Sequence, residues 1–484
     1  MKNYIGAILY SGLLIPSYLF AQYTKNDWGV YFGGAKDEYL EEVAVDSGGN
    51  ALIVGRTKST SGVATALAHQ TVYGGGPSDA FLAKYDPDGH LLWSTYFGGA
   101  GKDNAFAVSV DGGDNITIGG LTNSLTGIAT PGSHQSAFGG GGDDGFVAKF
   151  DPNGQLLWST YFGGPSGEWI LGIAHDAASN VYVTGFTGSA SGIATAGAYQ
   201  DTFVGKPMDC FWAKLDPNGV VAFSTYFGAV GEDRPHDIQV DPLGNVILAG
   251  TTPSKTGMAT AGAYQETMAG AVDAFVSKWT GGGQLIWSTY YGGTLADRGR
   301  ECYTDSEGSI YLTGFTQSSS GIATAGTYQE LITPASGGGI PSQEAYLVKF
   351  DTNGQRIWGT YFGGTGNEYG RGLRITQDHR VVISGATGSA TQIASADAYQ
   401  PHKGGGSDAY LAVFSTDGAY LGSTYYGGAG AEPYQTASYG PAVAIDAQGN
   451  VYLSPTSSST DLPALNGPAG GYDAVLTKFA AAIP

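Results

Sequence analysis

Trp93-Ser94-Thr95-Tyr96-Phe97-Gly98-Gly99 is a short aromatic strand closed by two glycines, and near-copies of it recur along the 484-residue chain. The seven copies begin at Trp28, Trp93, Trp158, Phe223, Trp287, Trp358 and Gly422, at spacings of 65, 65, 65, 64, 71 and 64 residues. A fixed period of this length marks one supersecondary unit, repeated and stacked, so the usual division of such a length into about three domains does not apply. The array runs from Trp28 to the last residues and leaves no interval for a separate catalytic domain.

Working outward from Trp93, the glycine pair leads to an alternating strand over Ala105 to Val110, the turn Asp111-Gly112-Gly113-Asp114-Asn115 and a second strand over Ile116 to Leu121. Gly and Asn accept the positive φ that tight hairpins require. A linker of small and polar residues reaches Gly142; then come a third strand over Gly145 to Phe150, the turn Asp151-Pro152-Asn153-Gly154 and a fourth strand over Gln155 to Phe162. Each repeat reads as a four-stranded antiparallel sheet. Seven such sheets predict an all-β, seven-bladed β-propeller over residues 22–484. The last copy ends on a third strand, Tyr472 to Phe479, and the first begins on a fourth, Asp27 to Phe32. The two ends should therefore complete one blade, which removes the exposed edges an open array would carry.

Composition agrees: 80 Gly, 31 Tyr and 20 Phe with only 13% charged residues suit short strands and tight turns. A net charge of −20 argues against a nucleic-acid partner or adhesion to anionic membrane, both of which need a dominant basic surface. Residues 1–21 read as a signal peptide, with Lys2, the apolar run Ile5 to Phe20 and a cleavage point after Ala21. The expected destination is export, to the periplasm, the cell surface or the medium, with no transmembrane segment in the mature chain and a monomeric state. Cys210 and Cys302 stand in different repeats at different places in the repeat, and no bridge between them is expected.

The units Trp158 to Gly164, Asn180-Val-Tyr-Val-Thr-Gly185 and Asp79-Ala-Phe-Leu-Ala-Lys84 resemble the SBBP repeat, a β-propeller repeat of bacterial secreted and surface proteins. The resemblance covers every copy and implies the propeller fold. It implies no reaction, because the family is defined by its repeats. Many relatives from the Bacteroidetes carry a C-terminal sorting domain; none is expected from the final residues Ala480 to Pro484.

Positions that every copy shares should serve the blade. An acid stands four residues after the glycine pair in all seven copies, at Glu38, Asp103, Glu168, Asp233, Asp297, Glu368 and Glu432. A ring of carboxylates holding a cation is one reading; capping of backbone N–H groups between blades is the favoured one. The same holds for the second acid series from Asp79 to Asp473, for the lysines that follow it and for the glutamines Gln70, Gln135, Gln200, Gln265, Gln329 and Gln400. The Asp-Pro-Asn-Gly turns lack the further carboxylates of a calcium loop.

Function should lie where the copies differ. The innermost strand starts beside the channel on the face that carries the long loops, and its first residues diverge: Trp169; Arg234, His236 and Asp237; Arg298, Arg300 and Glu301; Tyr369 and Arg371; Tyr434. Four of the eight arginines fall in this zone. Guanidinium groups grip carboxylate, sulfate or phosphate bidentately, and Trp169, Tyr369 and Tyr434 offer flat surfaces of the kind sugar rings stack on. The alternative is that these arginines pair with Asp237, Glu301 and the acid ring and lock the blades together. The expected function is a binding or scaffold protein holding an anionic polysaccharide or a cell-surface protein at the channel mouth. A polysaccharide lyase using His236 in proton transfer, and a purely architectural protein, remain open. No HExxH, GxSxG or GxxxxGK[ST] occurs, and no catalytic residue, metal or cofactor is assigned.

Overall fold

A computed structural model describes residues 25–334, 343–432 and 440–481. Seven antiparallel sheets are arranged around an axis, and no α-helix occurs among the described residues. The sample repeat forms strands Asp103–Val110, Ile116–Thr122, Asp144–Phe150 and Leu156–Phe162, paired in that order. No helix long and apolar enough to cross a membrane is present among the described residues. The signal-peptide residues lie outside them, as does Tyr434.

The first strand of each blade is innermost. Glu38–Val45, Asp103–Val110, Glu168–His175, Arg234–Val240, Asp297–Thr304, Glu368–Ile375 and Ala442–Ile445 each touch the innermost strands on either side, so they form a closed ring about the channel. The seventh blade joins both ends of the chain: Asn26–Phe32 pairs with Asp473–Phe479, Val30 opposite Leu476. Pro455 stands where Gly55, Gly120 and Gly185 stand in other blades. It has no N–H for the ladder, and the second strand splits there into Val451–Ser454 and Thr456–Ser457.

The core lies between blades, one apolar cluster to each seam. At the first seam Leu52, Leu82 and Phe97 meet Ile118 and Phe146, with the Phe97 and Phe146 rings 5.0 Å apart. The tryptophan of the repeated phrase works at the outer edge. Trp93 Nε1 donates to the Pro152 carbonyl of the next blade (3.2 Å), and Trp28 to Pro87 across the closure (2.9 Å).

The shared polar residues serve the seams. Glu38, Asp103, Glu168, Asp233, Asp297 and Glu368 are buried and accept the N–H of the second residue of the glycine pair, as Gly99 does to Asp103 at 2.9 Å. Hydroxyls complete the shell, such as Thr122 and Ser124 around Asp103. Each Gln accepts the first glycine's N–H, Gly98 to Gln70 at 3.1 Å, while its amide group donates within the linker. The two cysteines are buried and free.

Candidate functional site

Every inner strand from the first to the sixth blade carries a β-bulge, its extra residue three positions after the shared acid. The register jumps between Leu40 and Glu42, Ala105 and Ala107, Ile170 and Gly172, Pro235 and Asp237, Gly299 and Glu301, and Gly370 and Gly372. The extra residues are Glu41, Phe106, Leu171, His236, Arg300 and Arg371. A bulge bends its strand and re-aims the unpaired side chain. Opposite each stands a glycine, because a Cβ at Gly185 or Gly314 would run into the carbonyl of Trp169 or Arg298. Three predicted residues, His236, Arg300 and Arg371, are thus equivalent bulge residues of three consecutive blades.

Four predicted residues converge. Arg234, His236, Arg298 and Arg300 line one cavity of about 340 Å³ between the fourth and fifth blades. Its remaining walls are Glu232, Thr251, Pro253 and Val272. Arg234 Nε donates to Glu232 Oε1 at 2.6 Å, and its guanidinium lies over the Phe186 ring at 5.3 Å. Arg300 Nη1 lies 2.8 Å from His236 Nε2 and 3.0 Å from Nδ1, so it donates into the imidazole, and its guanidinium lies over Phe315 at 5.1 Å. Burial, then the guanidiniums of Arg300, Arg371, Arg234 and Arg298, push the His236 pKa well below its ordinary value, so the ring is neutral. Among the described residues no carboxylate pairs with Arg298. The cavity therefore holds three guanidiniums against one carboxylate, in a molecule whose net charge is −20.

Arg371 sits deeper. Together with Arg374, Glu42, Asp237, Glu301 and His236 it lines a throat of about 30 Å³. Arg371 Nη2 donates to Glu42 Oε2 and to the Glu41 carbonyl, each at 3.1 Å, and Nη1 lies 3.9 Å from Glu301. Arg374 pairs with Glu301, whose Oε2 also accepts the Leu373 N–H at 2.9 Å. Asp237 accepts the Cys302 N–H at 3.0 Å. These contacts tie the first, fourth, fifth and sixth blades together at the axis. Glu42 and Arg374 were not singled out from the sequence; the signal available was that Glu42, Asp237 and Glu301 share one repeat position, four after the acid.

The aromatic residues lie apart from the cavity walls. Trp169 stacks on Phe106 (5.4 Å, 26° between planes) and packs against Phe186 (5.0 Å), while Nε1 donates to Asp143 at 3.3 Å. Tyr369 meets Phe315 edge-on at 5.0 Å. At the opposite mouth a wider funnel of about 530 Å³ is lined by His175, Gln239, Tyr303 and Arg374. His175 lies 2.9 Å from both Ser109 Oγ and Thr117 Oγ1, and burial, with Lys149 nearby, pushes its pKa down to about 4. Among the described residues, Asp86, Asp88 and His90 are the group whose ligand atoms come close enough for a metal. They form an exposed turn in which Asp86 Oδ1 caps the N–H groups of Asp88 and His90.

The family profile of the SBBP β-propeller repeat matches residues 157–192, which span the third copy's aromatic strand, its acid Glu168 and the hairpin that follows. The chain carries the SBBP repeat. Its other six copies share the phrase and the blade. An uncharacterized WD repeat-containing protein of Acanthamoeba polyphaga mimivirus is 22% identical over 371 residues, 65% of this chain and 26% of that protein, so the chain spans about a quarter of that relative's length. Solved structures with a similar fold include a protein of unknown function from Dyadobacter fermentans (TM-score 0.41, 10% identity, 94% of this chain and 99% of that one). The WD40 domain of Neurospora crassa Pan2 (TM-score 0.44, 9% identity, 92% and 90%) and the polysaccharide lyase Uly1 (TM-score 0.44, 9% identity, 94% and 98%) are others. Likeness at this level concerns the arrangement of strands and says nothing of activity.

Proposed function

We propose that this SBBP-repeat chain is an exported binding propeller that holds an anionic group of its ligand at the long-loop mouth of the channel. The observation that carries the reading is the cavity in which Arg234, Arg298 and Arg300 meet with Glu232 as the one acid. Three guanidiniums in a recess form a local reversal of sign, and an anion entering it exchanges water for charge-assisted hydrogen bonds. At about 340 Å³ the recess lies at the small end of ligand sites, which run roughly 300–1,000 Å³. It suits one acidic group and its immediate carrier rather than a long segment of polymer.

A lyase needs a base and an acid facing one substrate carbon. His236 is neutral, as a base must be, but Arg300 donates into its ring, and the hydroxyl lining the cavity is that of Thr251. Binding without turnover fits this set of groups better. Calorimetric titration of the intact protein with galacturonate, glucose 6-sulfate and uncharged galactose tests the reading. Binding of the anions alone, lost in Arg298→Ala, is expected. Equal behaviour of galactose and the anions would overturn it.

A further inference from the structure

The anion cavity has a second wall of opposite character. Pro253 and Val272 line it together with the arginines. No other blade places two apolar side chains at these repeat positions; Lys58 with Ser78, Asn123 with Asp143 and Gln317 with Gln343 are the counterparts in the first, second and fifth blades. The rim continues this character. Val230 is 84% exposed and Leu295 is 39% exposed, two residues before Glu232 and three before Arg298, both of which line the cavity. Val230 adjoins Gly231, whose Cβ position lies 2.8 Å from Pro253 Cγ. Leu295 adjoins Ala296, which forms a bridge with Val272. Two apolar side chains thus line the cavity that holds Arg234, Arg298 and Arg300, and two more, Val230 and Leu295, stand close by in the chain.

Resting on the reading above, we propose that the ligand's anionic group is a carboxylate carried on an apolar aliphatic body. The charge side fits one planar carboxylate. Arg234 is balanced by Glu232 and Arg300 donates to His236, while the Arg298 guanidinium has no acid partner among the described residues. Its fork matches a carboxylate bidentately. The carrier then lies against Val272 and Pro253 and reaches Val230 and Leu295 at the rim, where removal of apolar surface from water favours a branched hydrocarbon over a hydroxylated sugar ring. A free branched-chain acid and the C-terminal residue of a peptide share this chemistry.

The test is calorimetric titration of the intact protein with 4-methylpentanoate, a tetrapeptide ending in leucine, acetate, galacturonate and 4-methylpentanamide. At least one of the two leucine-like carboxylates is expected to bind about tenfold more tightly than acetate or galacturonate, as burial of a few methylene groups implies; which of the two is tighter separates the free acid from the chain terminus. The amide should not bind. Val272→Thr keeps shape and removes an apolar surface, and Val230→Ser changes a side chain that touches little. Each should narrow the preference over acetate to less than about threefold. Equal affinity for galacturonate and both leucine-like acids, all lost in Arg298→Ala, would overturn the apolar carrier and leave the anion site standing. Binding of no anion at all would overturn both.

Discussion

Lys149 Nζ lies 2.8 Å from Asp111 Oδ2 beneath the inner hairpin of the second blade, with side-chain exposures of 3% and 0%. The same pair recurs as Lys84 with Asp46, Lys214 with Asp176, Lys278 with Asp241 and Lys349 with Asp305. In the sixth blade both members are replaced at once, by Thr376 and Val413, and Thr376 Oγ1 takes over the cap by accepting the Arg380 N–H at 2.9 Å. An unpaired buried charge is costly, whereas an uncharged replacement of both partners is not.

Asp111→Thr or Lys149→Val alone should therefore destabilise the protein by about 3–5 kcal/mol, and the double change by much less than the sum. Urea unfolding of the two single variants and the double variant checks this. Additive losses would show that the pair is not a unit.

Gly154 ends the outer hairpin at φ +81°, and a Cβ there would come within 2.7 Å of the Trp93 ring. Gly132 has nearly the same φ, +80°, with nothing within 4 Å. Gly132→Ala should cost the conformational term of about 1–2 kcal/mol, and Gly154→Ala that term plus displacement of the indole. Thermal unfolding should rank Gly154→Ala clearly lower, with altered tryptophan fluorescence; equal losses would contradict the packing role.

The two arginines Arg298 and Arg371 should separate binding from architecture. Arg371 is paired with Glu42 in the throat, and Arg371→Ala leaves buried acids uncompensated, so a loss of about 3 kcal/mol or more is expected. Arg298 has no acid partner among the described residues, and Arg298→Ala should hold stability within about 0.5 kcal/mol. Denaturation curves of both variants, beside their anion titrations, check the division.

Burial raises several seam carboxyls, Asp79 and Glu432 to about 7 and Glu344 to about 8, and lifts Glu41 at the channel to about 7. A carboxyl with a raised folded pKa binds more protons folded than unfolded, so its stabilising contribution is lost as pH climbs through that pKa. The hairpin Asp111 shifts the other way, to about 2, through its bonds to Lys149 and Asn115 overcoming burial, and its contribution is lost as pH falls. The melting temperature should fall from pH 6.5 to pH 8.5 and fall again below pH 4. A flat profile between pH 6.5 and 8.5 would show that the seam carboxyls ionise without strain.

The period, the four strands of each blade, their boundaries to within two residues and the closure by Asn26–Phe32 were legible in the sequence. Each rests on local physics, alternation and turn chemistry, written out in seven copies. The shared acids were legible as caps for the same reason: Asp103 bonds within four residues and across its own hairpin. The arginines were legible as a group, but not in their division of labour. Arg371 meets Glu42 across a separation of 329 residues, and nothing local in the chain encodes that distance.

By itself, then, the amino-acid order determined a seven-bladed SBBP-type ring and the zone in which its blades differ. Tertiary structure decided which residues of that zone meet. Closure brings all seven inner strands to one axis, and the bulges turn His236, Arg300 and Arg371 toward it, so partners come from other blades. That geometry placed Arg371 among acids in the throat and left Arg298 at an open recess beside Val272, because burial and partner choice depend on which blades meet.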